Sequence, residues 1–153
     1  MTVELIVQIA SLGALAVAIW GLVQNNRVHK RQSNAQIFLE YTGRYERIMS
    51  DYPDGAFEAR LDAGEALPDP SEALSMVVLR YLNLCSEEFY LWRRGFLSAD
   101  IWGIWEAELR RMIRSPLVRR EWIQLRSEFE SYPEFVRYVD DAQKGHEEGE
   151  ARE

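Results

Sequence analysis

The sequence predicts an all-α protein, an N-terminal transmembrane helix continuing into a cytoplasmic helical bundle. Three observations lead there. Residues 5–24, LIVQIASLGALAVAIWGLVQ, form an almost unbroken apolar run. Beyond it, apolar residues keep recurring at helical spacing, with no Gly or Pro between Gly21 and Gly43. No stretch alternates with the period of two that marks a half-buried strand.

The first element is a long helix over roughly 3–50. Twenty apolar residues rising about 1.5 Å each cover about 30 Å, the thickness of a bilayer's hydrocarbon core. A cleaved secretory signal would carry basic residues before a shorter apolar core. Here Met1, Thr2, Val3 and Glu4 precede the run and the basic residues follow it, the pattern of an uncleaved anchor. A buried soluble helix is the competing reading, since Gln8 and Ser11 interrupt the run. Arg27, Lys30 and Arg31 form a basic collar just past the apolar end. Cationic flanks stay on the cytoplasmic side, which puts the N-terminus outside a bacterial inner membrane and residues 27–153 within the cytoplasm. Trp20 stands near that inner boundary, where an indole buries its ring and keeps its N–H wet.

The same helix carries two unlike faces. Val7, Gln8, Ser11, Ala14, Ala18, Gly21 and Asn25 recur along or beside one stripe, mostly small or polar. Leu5, Ile9, Leu12, Ala16, Ile19 and Val23 occupy the other side, mostly bulky. Small side chains let helix backbones approach closely, and Gln8 gains by hydrogen-bonding across an interface instead of facing hydrocarbon. The stripe is therefore the candidate membrane-helix interface, toward a second copy or a partner membrane protein. A pore lined by Ser11, Gly21 and Asn25 is the sharper version of that idea.

Past the membrane, Ala35, Phe38, Tyr41, Tyr45, Ile48 and Met49 share one stripe, and Tyr52, Pro53, Asp54 and Gly55 break the helix. The resulting layout is a transmembrane anchor at 1–26, a juxtamembrane helix at 27–54 and a connector at 55–70 that has room for one helical turn. A helical bundle at 71–143 and a disordered acidic tail at 144–153 complete it. The bundle's first helix is predicted to start with Asp69 as cap and Pro70 in its first turn, and to stop at Gly95. Leu74, Val77, Val78, Tyr81, Leu82, Leu84, Cys85, Phe89 and Trp92 cover so much of its circumference that it is expected to be central. Ser98 is expected to cap the next helix. Ser115, followed by Pro116, should cap a fourth running to Glu130, and Pro133 should open the last.

Charge is unevenly spread. Residues 27–50 hold five Lys and Arg against Glu40 and Glu46, while 51–153 hold 13 against 22 acidic residues. A basic collar above an acidic body suits membrane lipid as a partner and argues against nucleic acid. Catalysis finds little support. His29 and His146, the only histidines, lie in the collar and the tail. Cys85, the single cysteine, sits on an apolar helix and reads as a packed thiol. No metal-ligand spacing and no phosphate-binding glycine loop occurs, so no enzyme, metal or cofactor is expected. The aromatic residues, Trp92, Trp102 and Trp105 among them, read as core, with an aromatic groove for a peptide or cofactor as the alternative. The arginines and glutamates of 87–121 read as ion pairs on a solvated face.

The segments AQIFLEYTGRYERIM, YLNLCSEEFYLWRRGFLSADIWGIWEAELRRMIRSPLVRREW and YPEFVRYVD together resemble a broad group of small bacterial single-pass membrane-anchored proteins of unknown function with an all-helical cytoplasmic domain. The resemblance covers most of residues 35–140. Its motifs are packing motifs: a Glu-Phe-Tyr segment, an Arg-Gly turn, a tryptophan helix and a Ser-Pro helix start. It implies an anchored helical domain and supplies no active-site residues. In architecture the layout is also similar to membrane-anchored accessory proteins encoded beside some CRISPR effectors, which assemble into rings. The Arg-His pair of the helical ribonuclease class is missing here.

Overall fold

The computed structural model of the chain describes residues 3–60 and 66–150, and the side chains of these except at 4–7, 9, 10 and 145–150. The elements are α1 (Val3–Ser50), α2 (Ala56–Ala59), α3 (Glu72–Arg93), α4 (Ala99–Arg114), α5 (Pro116–Leu125), a 3₁₀ turn (Arg126–Phe129) and α6 (Pro133–Glu150). Among the described residues there is no strand. The chain divides into two compact units, Met1–Phe38 and Leu39–Glu153. The unit boundary falls inside α1, so the last twelve residues of that helix, 39–50, belong with the bundle rather than with a separate juxtamembrane segment.

In the second unit, α4 packs principally against α3, α5 and α6, and α3 packs against α4 and α5. The predicted central helix α3 does supply the largest share of the core. Leu74, Val77, Val78, Tyr81, Leu82, Leu84, Cys85 and Phe89 are all buried, and Trp92 is half-buried. They meet Trp102, Leu109, Met112 and Ile113 of α4, Leu117, Val118 and Trp122 of α5, and Phe135, Val136 and Val139 of α6. Ile48 and Met49 close α1's contribution.

The helix ends show which local signals prevail. Gly95 has φ 74°, and the amides of Gly95 and Phe96 donate to the carbonyls of Trp92 and Leu91 at 2.9 Å each. This is a Schellman stop, which a side chain's Cβ would strain. Ser115 serves two helices. Its hydroxyl donates to the Met112 carbonyl at 2.8 Å and accepts from the Val118 amide at 3.3 Å, with Pro116 in the first position of α5. Pro133 opens α6.

Several expectations are corrected. The cap of α3 is Ser71, whose hydroxyl accepts from the Leu74 amide at 3.2 Å, not Asp69. Ser98 stands at the start of α4 but makes no side-chain capping bond. The fourth helix ends at Leu125 and tightens into the 3₁₀ turn, which places Phe129 in the core. The connector does hold the one helical turn expected of it, α2, entered through Gly55 at φ 77°; its residues 61–65 lie outside those described. The tail, expected to be disordered from 144, continues α6 to Glu150. Extending an existing helix needs no new nucleus, so Gly145 and Gly149 are tolerated at about 1 kcal/mol each. Residues 151–153 of that tail are outside the description.

Candidate functional site

In the first unit, α1 stands without intramolecular packing along most of its described length. Every described side chain from 11 to 33 is exposed. Leu12, Val17 and Trp20 expose 66%, 72% and 66% of their surface, and Leu15, Ile19, Leu22 and Val23 are exposed as well. Apolar residues on all sides of a helix normally mean that something surrounds it. Of the candidate interface residues, Gln8, Ser11, Ala14, Ala18, Gly21 and Asn25 are exposed, and Val7 lies outside the described side chains. The described residues of the bulky face, Leu12, Ala16, Ile19 and Val23, are exposed as well, while Leu5 and Ile9 lie outside the described side chains. A methyl group added at Gly13 or Gly21 would meet nothing within 4 Å, so nothing inside the chain demands glycine there. The collar residues Arg27, Lys30 and Arg31 are exposed around the helix.

Among the described residues, no helix is long and apolar enough to cross a membrane. The helical part of the fold expectation holds, and its transmembrane part is not shown among those residues. The sequence run 5–24 on which it rests passes through positions 5–7, 9 and 10, whose side chains are outside the description.

In the second unit, the charges of α1 and α3 meet. Arg44 donates to both carboxylate oxygens of Glu87, at 2.5 and 3.0 Å, and the Tyr41 hydroxyl donates to Glu87 at 3.1 Å. Tyr41 also stacks on Trp105, ring centroids 5.4 Å apart. The Arg44 hydrogen bond holds the Glu87 carboxyl below its ordinary range, against burial. Burial, then the Glu87 charge, pushes the Tyr41 phenol up to about 12. The next residue, Glu88, turns inward and keeps only 7% of its surface exposed. Burial pushes its carboxyl up to about 8; the Arg44 guanidinium opposes this and Glu87 adds to it. Glu121 is buried too, at 2% exposure, but it is well supplied: Ser75 donates at 2.6 Å and Arg120 at 2.8 and 3.0 Å. Arg120 also reaches the Pro68 carbonyl at 2.7 Å, tying the connector to α5.

Phe89 is the hub of an aromatic cluster. Its ring lies 5.0–6.0 Å from those of Trp92, Trp102, Tyr132, Phe135 and Tyr138, and Trp92 stacks on Trp102 at 4.8 Å. Phe89, Trp102 and Phe135 are buried in the core, as the sequence suggested, while Trp92, Trp105, Tyr132 and Tyr138 are half-buried and Tyr90 and Phe96 are exposed. Cys85 is fully enclosed, and burial pushes its thiol well above the ordinary value, the condition of an inert thiol. The ion-pair reading holds for Arg110 with Glu106 at 2.7 Å and for Arg111 with Glu108. It misses Glu88 and Glu121, which leave the solvated face altogether. Their signal was weak: each lies beside buried core residues, Phe89 and Trp122, yet acidic residues are rarely placed inside by periodicity alone. Among the described residues, no group of three or more metal-ligating side chains comes together. The chain matches no protein-family model, no curated protein and no solved structure.

Proposed function

We propose that this chain is a single-pass inner-membrane interaction protein. Its apolar helix inserts with the N-terminus outside, its helical domain lies in the cytoplasm, and it self-associates through the stripe of Gln8, Ser11, Ala14, Ala18, Gly21 and Asn25, together with Val7. Scaffolding is the role this supports best, and a ring of copies would extend it to a pore. No reaction is assigned to it.

One observation carries the reading. The run 5–24 is followed at once by Arg27, Lys30 and Arg31, and its described part leaves Leu12, Leu15, Val17, Ile19, Trp20, Leu22 and Val23 all exposed, opposite a side of smaller residues. In water that exposure is unfavourable at about 25 cal/mol per Å² of apolar surface; in hydrocarbon it costs nothing. The collar then sits at the level of anionic headgroups.

The alternative is an accessory subunit of a larger membrane complex, using the same small-residue face. It is favoured by the open space around Gly13 and Gly21, which admits another helix whether or not that helix belongs to a second copy. Insertion is tested by extracting bacterial membranes containing the tagged full chain with alkaline carbonate. Retention in the pellet, with a C-terminal tag protected from protease added outside spheroplasts, is expected. Release of the chain into the soluble fraction would contradict insertion.

A further inference from the structure

Two adjoining cavities on the second unit share Tyr90 and Tyr132. One, about 570 Å³, is lined by those tyrosines with Arg93, Arg94, Ser131, Pro133 and Glu134. The other, about 310 Å³, adds Tyr41, Ser86, Glu87 and Leu91. Together they make one open groove with a basic end and an aromatic, apolar continuation. The two tyrosine rings meet edge-on at 6.3 Å. Tyr90 keeps 44% of its surface exposed although it is aromatic. Arg94 lies over the Tyr90 ring at 5.4 Å, and among the described residues it has no carboxylate partner. Arg93 reaches Glu134 only at 3.5 Å, with both side chains about half exposed.

We propose that this groove binds a linear peptide segment of a partner protein, with an acidic side chain at Arg94 and an adjoining apolar or aromatic side chain over Tyr90, Tyr132 and Leu91. A guanidinium beside an exposed ring, with no carboxylate partner among the described residues, has N–H groups available for a two-pronged carboxylate contact. The Glu134 carboxylate at the rim favours a singly charged carboxylate over a doubly charged phosphate. Nucleic acid fits poorly, because each of the two cavities includes a glutamate, Glu134 in one and Glu87 in the other, which would repel a phosphate backbone. Neither cavity is enclosed, which leaves room for an extended segment.

The test is selection of a random linear dodecapeptide library on the full-length protein in detergent, followed by fluorescence anisotropy with the enriched peptide. Enrichment of an acidic residue next to Leu, Ile, Phe or Trp is expected. Arg94→Glu should weaken binding of the enriched peptide at least tenfold, and Tyr90→Ala should weaken it severalfold. Glu134→Gln should tighten it by removing a competing carboxylate. Unchanged thermal unfolding of each variant keeps folding out of the reading. Failure to enrich any sequence, a consensus without an acid, or binding that survives Arg94→Glu would each overturn the proposal.

Discussion

Arg44 and Glu87 join the end of α1 to α3 through a two-pronged ion pair, and the neighbouring Glu88 is buried beneath it. One glutamate of the pair is held charged by a guanidinium; the other is pressed toward its neutral form by the core. The two therefore respond to pH in opposite directions.

Glu88 governs the alkaline side. Its folded carboxyl titrates at about 8 against an ordinary value of 4.5, so between these limits the folded chain binds a proton that the unfolded chain does not. The stability that Glu88 contributes is fully present below about pH 4.5 and is lost as pH rises through about 8. Glu87 acts the other way: its lowered carboxyl adds stability above the unfolded value and loses it as pH falls. Glu88→Gln is predicted to flatten the decline between pH 5 and 8 by an amount of the order of a few kcal/mol. Chemical denaturation across that range checks it, and an unchanged slope would contradict the assignment.

Arg44→Ala removes the pair while leaving Glu87 partly solvated, since the two side chains keep 31% and 46% of their surface exposed. A loss of about 0.5–1 kcal/mol is predicted, shrinking at high salt. Urea unfolding at low and high ionic strength measures both.

Phe89→Ala deletes the ring that five other aromatic side chains surround. A loss of about 3–5 kcal/mol is predicted, with collapse of the near-ultraviolet circular dichroism of Trp92 and Trp102. Retention of that signal with little change in stability would show that the cluster is not the core's anchor.

Ser115→Ala removes a hydroxyl that ends α4 and starts α5 at once. About 1–2 kcal/mol of destabilisation is predicted, against a few tenths for Ser98→Ala, whose hydroxyl caps nothing. Equal losses at the two serines would contradict the capping assignment.

Within the first unit, Ala14→Leu or Gly21→Leu should weaken helix association in detergent or bilayer, and Leu12→Ala should do much less. Förster transfer between labelled copies reads this directly. Equal effects on both faces would remove the stripe's claim to be the interface.

Helix starts and stops were legible where one residue type decides the geometry: Gly95 at positive φ, Ser115 before Pro116, Pro133 at the opening of α6. The core residues of α3 were equally legible, because their spacing matches a helix with two buried flanks. The competition between Asp69 and Ser71 was not, since both are good caps and tertiary placement decides between them. Glu88 and Glu121 were hidden for a different reason. Each is carried inward by neighbours whose burial outweighs one carboxylate's preference for water, and Glu121 meets donors from Ser75 and Arg120 that only the folded chain assembles. The groove of Tyr90, Arg94 and Tyr132 joins α3 to the turn before α6, a juxtaposition no local pattern contains.

The central claim is that this helix brings copies of the chain together in a membrane. Its most direct test is the mass of the full-length protein in mild detergent, measured by light scattering with the bound detergent subtracted. A discrete oligomer that dissociates on Gly21→Leu is predicted. A monomer at all accessible concentrations would contradict self-association and leave the partner-subunit reading in its place.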